Sequence, residues 1–139
     1  MRNIKLIFLA ICATVSVHAH SDETIIAVTL ILEAGGECAE GSMEAVNEVI
    51  CNRAWTRSLT RREVCLQVSQ FTCWNSGKTD ALVAKAQRHS RYSQALAIVN
   101  ANITDYTNGA DHYHAEHCSP DWASSMRVTA KVGSHVFRR

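Results

Sequence analysis

Residues 24–32, with the sequence TIIAVTLIL, are apolar on nearly every side and must be enclosed by the rest of the chain. Such a stretch suits a buried helix or a central strand equally well. No turn-forming residue interrupts it, and Gly35-Gly36 follows shortly afterwards, which favours a helix that ends at the glycines. Glu33 then lies in the last turn of an apolar helix, where a carboxylate is unusual.

A second apolar run occupies residues 6–17, after the basic residues Arg2 and Lys5. Its 12 residues fall short of the roughly 20 that an α-helix needs to cross a bilayer. The motif VHA at residues 17–19 fits the small-x-small pattern of signal peptidase. We therefore expect residues 1–19 to be a cleaved secretory signal rather than an uncleaved anchor, and the protein to be secreted or periplasmic.

The remaining residues, 20–139, are enough for one domain with a modest core. The formal net charge of +1 becomes −1 once Arg2 and Lys5 leave with the signal. Nucleic-acid binding requires a basic face, so a chain this close to neutrality argues against a nucleic-acid partner. We expect a monomer with no membrane span after signal cleavage.

Helical signals continue beyond the glycines. A second helix is predicted from Ser42 to Ala54, with Ser42 capping its start. Thr60 and Glu63 match a capping box, which begins a short third helix. Residues 80–99 form a longer helical region with a break near their middle.

The C-terminal part has a different periodicity. Apolar and polar side chains alternate over residues 126–132, which predicts a strand with one buried face. Gly133-Ser134 supplies a turn, and residues 135–137 can return as the partner strand. The fold class is therefore α+β: one mostly helical domain with a small C-terminal antiparallel sheet.

Five cysteines remain after signal cleavage. In an oxidising compartment such cysteines usually pair, and an odd number leaves one thiol over. Cys51 lies within a predicted helix and is expected to be the free thiol. Cys65 and Cys73 flank a turn and are expected to pair, which leaves Cys38 for Cys118, although sequence alone does not determine the connectivity.

Glu33 is the candidate acid. A carboxyl group in apolar surroundings loses solvation of its charged form and can hold a proton near neutral pH, as a general acid for glycosidic cleavage must. The glycines after it would let a polymer approach closely. From composition alone a solvated residue at a helix end is the more common case. Glu37 is expected to support the site or to begin the next helix.

The segment DHYHAEH, residues 111–117, is a second candidate site. His112 and His114 would face the same side of a strand and could share a metal, with Glu116 or His117 as a third ligand. The same pattern also suits a polar, aromatic sugar-binding surface or an ordinary loop. Neither His-Glu-x-x-His nor Cys-x-x-Cys is present to support zinc.

Aromatic side chains could stack on sugar rings or could belong to the core. They are Phe71, Trp74, Tyr113 and Trp122. Trp74 has polar neighbours and is the better candidate for a cleft wall. Cys73 with a histidine could form a thiol hydrolase, which export with disulfides makes less plausible.

Several blocks together resemble the SleB/CwlJ family of cell-wall hydrolases. They occur in the family's order and span about residues 25–138. The blocks are EAGGE (33–37), NR (52–53), FTCWN (71–75), TNGADHYH (107–114), PDWA (120–123) and GSHVF (133–137).

The resemblance implies a lysozyme- or transglycosylase-like fold and activity on peptidoglycan glycan strands at the bacterial cell wall. The bond cut joins N-acetylmuramic acid to N-acetylglucosamine, and a lytic transglycosylase needs no cofactor or metal for it. Glu33 matches the family's catalytic glutamate, as general acid and then base. The matching blocks place substrate contacts at Glu37, Gln70, Phe71, Trp74, Thr107, His112, Tyr113 and His114.

Three positions depart from the family pattern: Leu32, Gly35, where an arginine is usual, and Arg138, where a tyrosine is usual. Two alternatives to the glycan-cleaving enzyme follow. One is a metal-dependent peptidoglycan amidase that uses His112 and His114. The other is a non-catalytic wall-binding module in which Gly35 and Arg138 mark a loss of activity.

Overall fold

The computed structural model describes residues 19–139. All of the predicted signal peptide except Ala19 lies outside the described residues. No helix in the described part is long and apolar enough to cross a membrane. The helices are α1 (Asp22–Ala34), α2 (Ser42–Arg57), α3 (Arg61–Leu66), α4 (Thr79–Gln87) and α5 (Tyr92–Asn100), with 3₁₀ helices at Thr72–Ser76 and Asp121–Ser125. The strands are β1 (His112–Ala115), β2 (Val128–Val132) and β3 (His135–Arg138).

Helix α1 is the centre of the helical core, as its apolar sequence predicts. Ile25, Ala27, Val28 and Leu30 are each 0% exposed, and the other four helices pack around them. Ser21 caps the helix by accepting a hydrogen bond from the backbone N–H of Thr24. The helix ends at the glycines, so Glu33 lies at the edge of the core.

Helix α2 begins as predicted, but Ser42 does not cap it. The N-cap is Gly41, in the left-handed region with φ of +80°, and the Ser42 hydroxyl donates to the carbonyl of Ala39. A Cβ atom on Gly41 would lie 2.4 Å from the ring of Tyr106, so both the backbone conformation and the close packing require glycine here. The capping box of Thr60 and Glu63 is confirmed.

The predicted break in the 80–99 region is also confirmed, because α4 ends at Gln87 and α5 begins at Tyr92. The sheet is antiparallel with the order β1-β3-β2. One of its faces packs on α2 through Phe137, which is 0% exposed. The α+β prediction is confirmed.

Neither of the predicted disulfides is present in this structure, and the pairing stays a prediction. Cys38, Cys51, Cys65, Cys73 and Cys118 are all free thiols. Closeness in sequence does not determine where a side chain points. The Cys65 thiol lies in the core beside Thr29, the Cys73 thiol lies beside Glu33, and Cys38 and Cys118 are on the surface.

Candidate active site

Glu33 and Tyr113 meet although they are 80 positions apart in the chain. The phenolic hydroxyl of Tyr113, on β1, donates a hydrogen bond of 2.7 Å to Oε2 of Glu33, at the end of α1. The ring of Tyr113 is held between His135 and Phe137 of β3, with ring centroids 5.2 and 5.5 Å away. Strand pairing therefore positions the donor, and the core helix positions the acceptor.

Two neutral groups surround the half-buried Glu33 carboxylate. Burial raises the pKa of Tyr113 well above its ordinary value, and the negative charge of Glu33 raises it further. Burial, followed by the same charge, raises the pKa of the Cys73 thiol to about 12. Both groups keep their protons at neutral pH, so each faces the carboxylate as a hydrogen-bond donor.

Arg53 of α2 places a buried positive charge close to this pair. It is 6% exposed, its Nε donates to the backbone carbonyl of Asp111 at 2.7 Å, and its guanidinium lies 5.4 Å from the ring centre of Phe71. Burial lowers the pKa of Arg53, and interactions with Tyr113 and Glu33 act in the opposite direction. An arginine keeps its charge in such a setting.

Trp74 is tied to the central helix. Its indole N–H donates to the hydroxyl of Thr29 at 3.0 Å, and that hydroxyl donates to the carbonyl of Ile25 at 2.9 Å. The indole is half-buried against the core. This agrees with the predicted place of Trp74 in the wall of the site, because Thr29 lies one helical turn before Glu33 on α1.

Two predicted substrate contacts are buried instead. Phe71 is 2% exposed and forms the surface on which the Arg53 guanidinium rests. Thr107 is 0% exposed, and its backbone N–H donates to Glu48. Because both are buried, neither side chain can touch a polymer in this structure. Motif matching predicted them as contacts because it does not separate the residues that support a site from those that line it. Gln70 is half-buried and accepts a hydrogen bond from Arg57.

Glu37 connects the loop after α1 to the turn between β2 and β3. Its carboxylate accepts hydrogen bonds from the hydroxyl and the backbone N–H of Ser134. The hydroxyl contact is the main reason that the pKa of Glu37 is lowered. A Cβ atom added to Gly36, next to it, would meet no atom within 4 Å, so a ligand has room to approach the end of α1 there.

His112 and His114 share a face of β1, as predicted, but it is the face opposite Tyr113. Their rings lie 5.3 and 5.7 Å from that of Trp122. Both ring nitrogens of His114 are engaged: Nδ1 with the carbonyl of Ala115, and Nε2 with Nε of Arg138. Nδ1 of His112 is engaged with Asp111.

The structure thus does not bring the two histidines together with Glu33. Among residues 19–139 no group of three or more histidine, cysteine or acidic side chains is arranged to hold a metal ion. Glu116 and His117, the proposed third ligands, lie exposed beyond the end of β1. Nothing in the geometry of the described residues favours the amidase alternative.

Sequence reasoning assigned no site role to three residues that hold the site together. Thr29 holds Trp74, Arg53 holds the start of β1, and Nη1 of Arg91 donates to the carbonyls of Gly35 and Glu37 at 3.2 and 2.6 Å. Of the three, only Arg53 could have been found from the sequence, because it belongs to the matching block NR (52–53). Arg91 lies 54 or more positions from its acceptors, and no local pattern predicts such a contact.

Comparisons with known proteins agree with this architecture. Among solved structures, the chain is similar to the catalytic domain of the germination-specific lytic transglycosylase SleB from Bacillus anthracis, with 22% sequence identity and a TM-score of 0.68 over 89% of this chain and 98% of that one. It is also similar to the catalytic domain of the Bacillus cereus SleB protein, with 24% identity and a TM-score of 0.63 over 88% and 94%. These likenesses show a shared, lysozyme-like fold.

No curated protein sequence matches the chain significantly. The sequence model of a family described as cell wall hydrolase matches residues 36–138. Glu33 lies three positions before the matched segment, whereas Tyr113, Cys73 and Arg53 lie within it. The match covers most of the chain, and this protein therefore belongs to the cell wall hydrolase family.

Proposed function

We propose that this chain is an exported lytic transglycosylase that cuts peptidoglycan between N-acetylmuramic acid and N-acetylglucosamine, with Glu33 as general acid and base. Family membership supports peptidoglycan cleavage. The observation that carries the finer proposal is the hydrogen bond from Tyr113 to Glu33, at the accessible end of a buried helix. The similar protein from Bacillus anthracis is itself described as a lytic transglycosylase, which supports the reaction type.

In the first step, protonated Glu33 gives its proton to the oxygen that links the two sugars. The bond from this oxygen to the anomeric carbon of N-acetylmuramic acid breaks, and the electron pair of that bond stays on the departing oxygen. Tyr113 occupies Oε2 of Glu33, which leaves Oε1 to carry the proton. The nearby Arg53 charge stabilises the carboxylate that remains.

In the second step, the same carboxylate accepts the proton of the muramic acid 6-hydroxyl. The hydroxyl oxygen bonds to the anomeric carbon and closes a 1,6-anhydro ring. The proton balance of Glu33 is restored and no water is consumed. One carboxylate is sufficient, which agrees with the engagement of Glu37, the nearest acid in sequence, by Ser134.

Glu33→Gln in the purified protein tests this assignment. We expect it to abolish the release of muropeptides from purified sacculi while the circular dichroism spectrum and Tm stay unchanged, because the amide fills the same space but cannot transfer the proton. Glu116→Gln, at an exposed carboxylate paired only with Lys131, is the matched control and should keep full activity. Undiminished activity of Glu33→Gln would exclude the proposal.

Product mass separates transglycosylase from hydrolytic muramidase. An anhydro end is one water lighter than a hydrolysed end, so mass spectrometry of the released muropeptides gives the reaction directly. The export proposal is tested on the same material. The mass of protein isolated from the producing cell should correspond to a chain that begins at His20, whereas a chain that begins at Met1 would contradict signal cleavage.

A further inference from the structure

The most exposed large apolar side chain of the described part is Trp55, on α2. It is 85% exposed, although a tryptophan ring in water forfeits a large burial energy. Trp55 lies between two depressions and lines both. The larger has a volume of about 1010 Å³ and lies between α2 and the end of α5, and the smaller, of about 120 Å³, reaches Asp111 and Arg139.

The larger depression has a mixed lining. Besides Trp55 it is lined by Asn100, Asn102 and Arg61, of which Asn100 and Arg61 each donate one hydrogen bond to a backbone carbonyl of α5. The exposed Ile103 lines it as well. A single aromatic plane bordered by amides is the arrangement that suits a sugar, which has an apolar ring face and a rim of hydroxyl and acetamido groups.

A third cavity, of about 240 Å³, continues this depression along α2, and Asn102 and Ile103 line both. Two of its lining oxygens, Oδ1 of Asn47 and Oε2 of Glu44, are buried and have no hydrogen-bond partner. Asn47 is only 4% exposed. A buried acceptor without a donor is unfavourable, so these two oxygens are suited to accept hydrogen bonds from the N–H or O–H groups of a ligand.

We propose that this α2–α5 groove is a second glycan-binding surface, separate from the cleavage site. Trp55 stacks on one sugar ring, and the acceptors of Asn47 and Glu44 take donors, such as acetamido N–H groups, from a ring further along the strand. Asn47 and Trp55 are eight residues apart on one helix, about 12 Å, so the ligand is an oligomer. Its identity as wall glycan rests on the proposed function.

The groove shares none of its lining residues with the surroundings of Glu33. Arg53, which borders the Glu33 site, is two residues from Trp55, and this spacing places the two side chains on opposite sides of α2. The glycan segment bound in the groove is therefore not the segment being cut. Binding there holds the enzyme on an insoluble polymer and raises the concentration of cleavable bonds around it.

Binding of purified Glu33→Gln protein to glycan strands stripped of their peptides tests the groove without cleavage. Adding Trp55→Ala should weaken binding about tenfold, Trp55→Phe should retain most of it, and Val68→Ala, at an unrelated side chain that is 83% exposed, should change nothing. An unchanged affinity in the Trp55→Ala protein would overturn the proposal. So would a loss seen only with intact sacculi, because stem peptides or a wall protein would then be the ligand.

In otherwise wild-type protein, Trp55→Ala should raise the half-saturating concentration of sacculi and leave the maximal rate unchanged. Short soluble glycans that reach only the Glu33 site should be cut at the wild-type rate. A fall in rate on both substrates would assign Trp55 to the cleavage site and contradict a second surface. Activity retained by Glu33→Gln would contradict the proposed catalytic role, whereas equal binding by the proteins with and without Trp55 would contradict the groove, so the two failures are distinguishable.

Discussion

At the scale of single residues, the chemistry of Glu33 depends on which neighbours keep their protons. Tyr113 and Cys73 have raised pKa values, so neither competes with Glu33 as an acid at neutral pH. Arg53 keeps its charge and interacts with both Tyr113 and Glu33. In the proposed mechanism Glu33 is therefore the member of this set that transfers the proton.

Tyr113→Phe removes the hydroxyl that positions Oε2 and keeps the aromatic ring in its place between His135 and Phe137. A hydrogen bond to a charged group contributes about 1.5–3 kcal/mol, so we expect a loss of about tenfold to a hundredfold in the rate of muropeptide release. Tm should change little. Tyr92→Phe, at a partly buried ring on the helical core, is the matched control and should be fully active.

The position of Glu33 and the orientation of Tyr113 could be predicted from the sequence. The burial of Phe71 and Thr107 could not. An acid at the end of an apolar helix follows from local composition, and strand alternation places Tyr113 opposite His112 and His114. Whether an aromatic or hydroxyl side chain in a motif faces ligand or core depends on what covers it, and that cover comes from distant parts of the chain.

At the scale of elements, buried carboxylates and guanidinium groups join the loops to the helices. Glu48 of α2 is 3% exposed and accepts hydrogen bonds from the Thr104 hydroxyl and from the backbone N–H groups of Tyr106 and Thr107. Because β1 follows this loop, Glu48 helps to determine where Tyr113 meets Glu33. Arg91 has the same effect on the loop after α1.

Glu48→Ala should therefore destabilise the whole fold. It leaves two buried backbone donors without partners, and we expect a loss of about 3–5 kcal/mol in the free energy of unfolding. Urea denaturation followed by circular dichroism measures it. Glu48→Gln, which keeps one acceptor, should lose less, and Glu40→Ala, at an exposed acid in the preceding loop, should lie within about 0.5 kcal/mol of the wild type.

The Glu37–Ser134 contact should make stability depend on pH. The pKa of Glu37 is lowered in the folded state from its ordinary value of 4.5. The contact therefore stabilises the fold above about pH 4.5, and the stabilisation disappears as the pH falls through the lowered value. Glu37→Gln should lower Tm at neutral pH and match the wild type in strong acid. A Tm difference that grew on acidification would have the wrong sign.

At the scale of the whole molecule, the reactivity of the cysteine thiols measures how readily the protein unfolds. Burial raises the pKa of Cys65 to about 11, and burial and the Glu33 charge raise that of Cys73 to about 12, whereas Cys38 and Cys118 are exposed. Iodoacetamide at pH 8 reacts with thiolates, so it should label the exposed pair first. It should label the half-buried Cys73 slowly, because the pKa of that thiol is raised, and the buried Cys65 only in denaturant.

Peptide mapping by mass spectrometry distinguishes the sites. Rapid labelling of Cys73 in native protein would contradict its raised pKa, whereas rapid labelling of Cys65 would contradict its burial. Failure of Cys38 and Cys118 to react before reduction would show a disulfide between them and contradict the free thiols of this structure. A retained Tm after labelling of the exposed pair would confirm that neither thiol belongs to the core.

The sequence by itself determined the central buried helix, the acid at its end, the interrupted helical region and the alternating strands. Each follows from a local rule: a 3.6- or 2-residue period, a cap, or a glycine within a few positions. The family resemblance also follows from the sequence alone, because motif blocks are recognised by their order along the chain and not by their contacts in the fold.

Only the tertiary structure decided which groups surround Glu33. Tyr113 is 80 positions away and Arg91 is more than 50 away. Cys65 and Cys73, which are close in sequence, have different partners, Thr29 and Glu33. Such contacts form because packing α1 against α2 and the sheet against α2 brings distant segments together. No local period of the sequence predicts these contacts, and the surroundings of Glu33 are therefore determined by the packing.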